Sequence, residues 1–187
     1  MSKYDIVITL FTIVYGLMLT DLFFSFHRLT RYRKNVKWHW LPLLAAWYLF
    51  LIILKNWWDL SSFQSSTDWI NIYFFIAYGH LLFLIFLLVS TALPDVIEKN
   101  GIDLREYYFK NHRYFWGLMS SVVILSLIIN YFKLYPQLNK LDIISVLGVN
   151  IIFILMLLIL TISKRYWVHV VILIILVVGV LFEIIGK

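Results

Sequence analysis

The sequence predicts an all-α integral membrane protein, a single bundle of six transmembrane helices occupying residues 1–187. Three observations predict it. Six long apolar stretches fill almost the whole chain, short polar connectors separate them, and each stretch reaches the roughly 20 helical residues needed to cross a hydrocarbon core of about 30 Å. Composition agrees, with 63% hydrophobic and 14% charged residues, where a soluble domain carries about 25% charged residues. No linker or low-complexity tract divides the chain.

Helix 1 is expected over about residues 5–27. Met1-Ser2-Lys3 is not a basic n-region and no A-x-A-like site follows, so this stretch should persist as a helix rather than be cleaved. Helix 2 is expected over about 40–60, with Pro42 tolerated in its first turn, and helix 3 over about 69–93, stopped by Pro94. In the longest connector, Asn100-Gly101 makes a turn and Asp103 with Glu106 has the spacing of a capping box. This predicts a short amphipathic helix over about 103–112, running into helix 4. Leu104, Tyr107, Tyr108, Tyr114 and Phe115 share one of its sides; Arg105, Glu106, Lys110 and Arg113 share the other. Such a helix is expected in the membrane interface, as a lipid-facing ledge or as a docking surface for a cytoplasmic protein. Helices 4, 5 and 6 follow at about 113–133, 141–163 and 166–185.

The net charge of +6 speaks for topology and against nucleic-acid binding, because of where it lies. Arg28, Arg31, Arg33, Lys34 and Lys37 follow helix 1, Lys99, Arg105, Lys110 and Arg113 follow helix 3, and Lys164 with Arg165 follow helix 5. That places eleven basic residues on one side, against Lys3, Lys133, Lys140, Lys187 and Lys55 toward the other. Lys/Arg bias toward the cytoplasm predicts a multi-pass protein with all three basic loops inside and both termini outside. The basic surface of Arg28, Arg31, Arg33, Lys34, Lys37, Arg105, Lys110 and Arg113 is expected to meet anionic headgroups or a cytoplasmic protein partner. Trp38, Trp40, Trp116, Tyr166 and Trp167 at the inner helix ends, and Trp57, Trp58, Trp69 and Tyr135 at the outer ends, are expected to anchor at headgroup level.

Polar residues inside spans are the candidate functional groups, since each is costly in lipid unless paired or hydrated. His80 and Asn150 come near the midplane and Asp21 about a turn and a half nearer the cytoplasm. They are expected to form either an interhelical hydrogen-bond network or a polar path for an ion, proton or small solute. Lys55, Asp59 and Glu183 form a second group near the outer surface, either a structural ion pair or a charged vestibule. Thr12, Gly16 and Thr20 on helix 1, and Gly117 and Ser121 on helix 4, have the four-residue spacing of small residues that lets helices approach closely in lipid.

Chemistry finds little foothold. Cysteine is absent, which excludes disulfides and thiolate metal sites, and no phosphate-binding, zinc-protease or nucleophile-elbow motif occurs. No catalytic residue, metal or cofactor is expected. A haem held by His27 and His169, both near the inner boundary, is the one redox alternative. The two halves show no self-similarity and no span carries a Gly/Pro break, devices that midplane transporter sites use.

The basic Arg28-Leu29-x-Arg31-x-Arg33-Lys34 loop, the Trp57-Trp58 pair, Asp103-Leu104-Arg105-x-Tyr107-Tyr108 and Arg113-Tyr114-Phe115-Trp116 together resemble a group of small polytopic bacterial membrane proteins of unassigned function. The resemblance covers residues 1–117 and implies a bacterial inner membrane, without implying an activity. The expected function is non-enzymatic: a homo-oligomeric, channel-like or membrane-perturbing component, with a small transporter using Asp21 and His80 as the alternative.

Overall fold

In a computed structural model the backbone is described for residues 3–61, 71–97, 100–134 and 140–186, and side chains for all of these except 3–4, 61, 133–134 and 140–146. The fold is almost entirely helical: α1 (Lys3–Arg31), α2 (Trp40–Ser61), α3 (Ile72–Ser90), α4 (Leu104–Leu134), α5 (Lys140–Ile162) and α6 (Tyr166–Ile185). Five of them are long and apolar enough to cross a membrane: Asp5–Arg31, Trp40–Leu60, Ile72–Ser90, Leu104–Phe132 and Tyr166–Ile185. In α5 the described apolar stretch is Leu147–Ile162. The expected start of helix 3 near residue 69 and the expected outer anchors Trp69 and Tyr135 lie outside the described residues.

Two expectations change. The separate interfacial helix over 103–112 does not form; α4 is one helix of 31 residues, about 46 Å at 1.5 Å per residue. Asp103 supplies the expected cap, its Oδ1 accepting from the backbone N–H of Arg105 (2.9 Å) and Glu106 (3.2 Å). Nothing between that cap and Leu134 breaks the ladder, so the amphipathic turns continue into the apolar ones. Nor do those turns face outward as a ledge: Leu104, Tyr108 and Phe115 are buried against other helices, while Tyr114 is exposed. Trp116, expected as a headgroup anchor, is fully buried.

The helices alternate in direction and form a closed ring, α1–α3–α4–α5–α6–α2, with α2 and α4 also touching across the middle. The core they share includes Phe11, Met18, Tyr48, Ile53, Leu88, Trp116, Leu157 and Leu173. Phe11 stacks on Phe75 and Tyr78, which fixes the level of α1 against α3. The exterior is apolar as well, with Leu17, Phe23, Phe24, Phe83, Ile152 and Phe182 among its exposed side chains. An exterior of this kind fits a transmembrane protein.

At the end that carries the basic loops, a 3-10 turn (Arg33–Asn35) leads into strand β1 (Val36–Lys37), which pairs in parallel with β2 (Ile102–Asp103). Gly101 makes this possible. Its φ of 85° is in the left-handed region, and a Cβ there would collide with the Asn35 carbonyl oxygen. The ribbon ties the start of α2 to the start of α4.

Candidate functional site

The polar chemistry of the interior collects at the basic end, where α4 meets α6. Tyr108, His112 and Trp116 follow one another at four-residue spacing, so one face of α4 presents all three. Trp116 Nε1–H donates to Tyr108 Oη at 2.9 Å. The His169 Nε2–H donates to the Ser163 carbonyl at 2.8 Å, which leaves Nδ1 to accept from the Tyr108 hydroxyl at 2.9 Å. One tautomer thus satisfies the whole chain of bonds and joins α4, the α5–α6 turn and α6. His169 is fully buried, its ring packed edgewise near those of Tyr108, Phe109 and His112.

His112 is only 2% exposed. Its Nδ1–H donates to the Phe109 carbonyl (2.7 Å), and its Nε2 is the single buried side-chain nitrogen or oxygen without a partner among the described residues. Tyr108 also borders a small cavity, with room for at most about one water, which Thr91, Tyr107, Asn111 and Phe115 help to line. Sequence reasoning placed Tyr108 on an apolar face and Trp116 in the headgroups and passed over His112; the four-residue spacing was the available signal.

Around this centre the basic end is closed by pairs. Asp95 accepts from the Ser25 hydroxyl (2.8 Å) and lies 3.5 Å from the Arg28 guanidinium, which also donates to the Asp95 carbonyl, so the ends of α1 and α3 are joined. Arg105 lies over the Tyr166 ring, 5.2 Å from its centroid, and His39 and Trp40 meet the same ring edgewise. Partial burial and the Arg105 charge hold His39 below the ordinary histidine value, with Asp103 opposing them. Arg31, Arg33, Lys34, Lys37, Lys110 and Arg113 are exposed, as are Lys164 and Arg165.

The intramembrane group expected from the sequence is not assembled. His80 is exposed on the outer face of α3, and its Nδ1–H donates to the Ile76 carbonyl of its own helix (2.9 Å). Asp21, partly buried on α1, is within electrostatic reach of Asp95 and Arg28 rather than of His80. Asn150 is on α5, which packs against α4 and α6, away from the α1–α3 side. Lys55, Asp59 and Glu183 do come together at the opposite end, with Lys55 Nζ 3.0 Å from Glu183 and 3.6 Å from Asp59.

Thr12, Gly16 and Thr20 are exposed on α1, Thr20 donating to the Gly16 carbonyl (2.7 Å). A Cβ at Gly16, Gly79 or Gly117 would meet nothing within 4 Å, and Ser121, also exposed, donates to the Gly117 carbonyl. The haem pair is not supported either: His27 is exposed, and both ring nitrogens of His169 are already spent on Tyr108 and Ser163. Among the described residues no three His, Asp or Glu side chains gather as a metal site. No family model, curated protein or solved structure matches this chain.

Proposed function

We propose that this chain is a non-enzymatic integral membrane protein that works as a homo-oligomer, a channel-like or membrane-perturbing component of a bacterial inner membrane. The observation that carries the reading is His80. It sits midway along α3 on an otherwise apolar exterior with Tyr73, Ile76 and Phe83, and its Nδ1–H is spent on its own helix. The remaining Nε2 lone pair faces outward, where hydrocarbon offers no donor. The Phe11–Phe75 stack sets the open Gly16 face of α1 at nearly the same level, and hydroxyl-bearing small-residue faces are what helices use to associate in lipid. A neighbouring copy supplies a close-fitting surface and, from Thr12, a hydroxyl donor. The interior of one bundle is filled by large side chains such as Phe11, Met18 and Trp116, which favours a conducting path between copies over one through a single chain. His80 faces outward from α3 while Asp21 is partly buried on α1 near Asp95 and Arg28, so the transporter alternative gains nothing from the geometry.

The basic end is assigned to the cytoplasm, with both termini outside, because exposed Arg and Lys crowd that end, where anionic headgroups and a cytoplasmic protein partner are met. Since the chain has no cysteine, Gly79→Cys and Gly16→Cys versions can be co-expressed and oxidised in native membranes. Covalent pairs between them are expected. Only single chains, at these and flanking positions on both faces, would remove the assembly.

A further inference from the structure

We propose that the corner where α2, α4 and α6 begin seats one anionic phospholipid, with its phosphate on Arg105 and Arg165 and its acyl chains along α6, a partner that rests on the membrane setting proposed for the chain. Tyr166 is the hub of this corner. His39 and Trp40 meet its ring edgewise, at centroid separations of 5.7 and 6.4 Å, and the Arg105 guanidinium lies 5.2 Å from its centroid. The β1–β2 pairing sets Lys37 opposite Asp103, beside the start of α4. Lys164 and Arg165 lead directly into Tyr166, and both are exposed.

Little within the chain answers that charge. Asp103 and Glu106 are the carboxylates at the start of α4, but Asp103 Oδ1 is occupied in capping the helix and Glu106 is exposed. Among the described residues none of Lys37, Arg105, Lys164 and Arg165 enters an ion pair. A headgroup of net negative charge complements them. A zwitterionic one brings an ammonium against the same four cations. Arg105 suits a phosphate in particular, since its planar fork matches two phosphate oxygens at once. Its place over the Tyr166 ring also restrains it before the ligand arrives, which lowers the cost of ordering it.

The rings decide for a lipid over a soluble anion. Trp40 is 44% exposed and Trp167 61% exposed, and indoles favour the level where acyl chains meet headgroups. Beyond Trp167, the exposed Val171, Ile174 and Val178 follow at helical spacing, so an apolar stripe of α6 leads from the cations into the span. Cations above an apolar bed match a phosphate above acyl chains. A soluble anion would meet only the cations.

Arg31 supplies a matched control. It is also exposed and also lies over a tyrosine ring, that of Tyr32 at 5.9 Å. It stands, however, at the end of α1, which α2 separates from α6 in the ring of helices. The test is native mass spectrometry of protein released from nanodiscs made of equal parts phosphatidylglycerol and phosphatidylcholine, counting the lipids that stay on each chain. Wild type is expected to keep one phosphatidylglycerol per chain in preference to phosphatidylcholine. Arg105→Gln and Arg165→Gln should each lower that retention about fivefold, the worth of one charge at an anionic surface, and Arg31→Gln should change it less than about twofold. Equal retention of the two lipids overturns the seat and leaves the corner to a soluble partner. Equal losses from Arg31→Gln and Arg105→Gln overturn it in favour of a diffuse basic field. Displacement of the retained lipid by excess inorganic phosphate overturns it as well, because the anion alone would then be the ligand. The same spectra count the chains in each particle, so a single chain that keeps its phosphatidylglycerol supports the seat while removing the proposed assembly.

Discussion

On the α4–α6 side, Trp116, Tyr108, His169 and Ser163 pass hydrogen bonds from one helix to the next inside the core, whereas on the α1–α3 exterior His80 and Thr20 bond back to carbonyls of their own helices. Both regions place polar atoms among apolar ones, but only the first bonds them from helix to helix within the chain, with His112 Nε2 left over. An interhelical bond makes a side chain part of the fold. A bond within one turn leaves the outward acceptor open, and in the proposed lipid surroundings, which hold no donor, the proposed neighbouring copy would relieve it. Mutations on the two sides should therefore fail in different ways.

The largest effect is expected from Tyr108→Phe. It strands two buried partners at once, the Trp116 N–H and the His169 Nδ1 lone pair, at about 1–3 kcal/mol each, for a total of about 2–6 kcal/mol. Denaturation in mild detergent should show a pronounced loss of stability; a midpoint like that of wild type would mean the network is not what holds α4 to α6. Next comes Gly101→Ala, which forces a Cβ onto the Asn35 carbonyl at a positive φ and should cost about 1–3 kcal/mol by parting β1 from β2. Backbone hydrogen exchange at Val36 and Ile102 would register the change, and unaltered protection would contradict it.

Smaller effects should come from the surface. Lys55→Met breaks both the Glu183 and Asp59 pairs, but Glu183 is 62% exposed, so the loss should stay below about 1 kcal/mol and shrink in salt. A loss of several kcal/mol would show that this end is as rigidly joined as the basic end. The least effect belongs to His39. Because burial and Arg105 hold its folded-state value below 6.5, the unfolded chain takes up its proton first. The stability His39 contributes is therefore present above about pH 6.5 and lost as pH falls through that range. His39→Gln should flatten that part of the stability profile, and an unchanged profile would assign the slope elsewhere.

The sequence made the helices legible and left their faces obscure. Length and hydropathy locate the helices because each is a long apolar run, five of them long and apolar enough to cross a membrane, and Asp103 announces its own cap by a local bond that needs no neighbour. Counting along helices also put Lys55 and Glu183 at one level, where they pair. Depth, however, says nothing about azimuth. His80 on the outer face of α3 and Asp21 on α1 share one side of the bundle while Asn150 lies across it on α5, since the ring order α1–α3–α4–α5–α6–α2 is set by packing that no single helix encodes. For the same reason Trp116 passed for an interfacial anchor: its indole N–H needed a polar partner, and the partner was Tyr108 two turns away rather than the headgroups. His112 gave no signal of its own, because a histidine among charged and aromatic residues looks solvated until Phe109 and His169 are placed around it.

The proposed assembly through the α1–α3 face is tested most directly by the mass of the particle in lipid nanodiscs, measured side by side for wild type, His80→Leu and Tyr108→Phe. Wild type should be a multiple of the 22.4 kDa chain. His80→Leu, which replaces the open acceptor by a side chain that lipid accepts, should fall toward a single copy with its fold intact, and Tyr108→Phe should keep the wild-type mass while losing stability. A wild-type particle holding one 22.4 kDa chain, or a His80→Leu particle as large as wild type, would contradict the account.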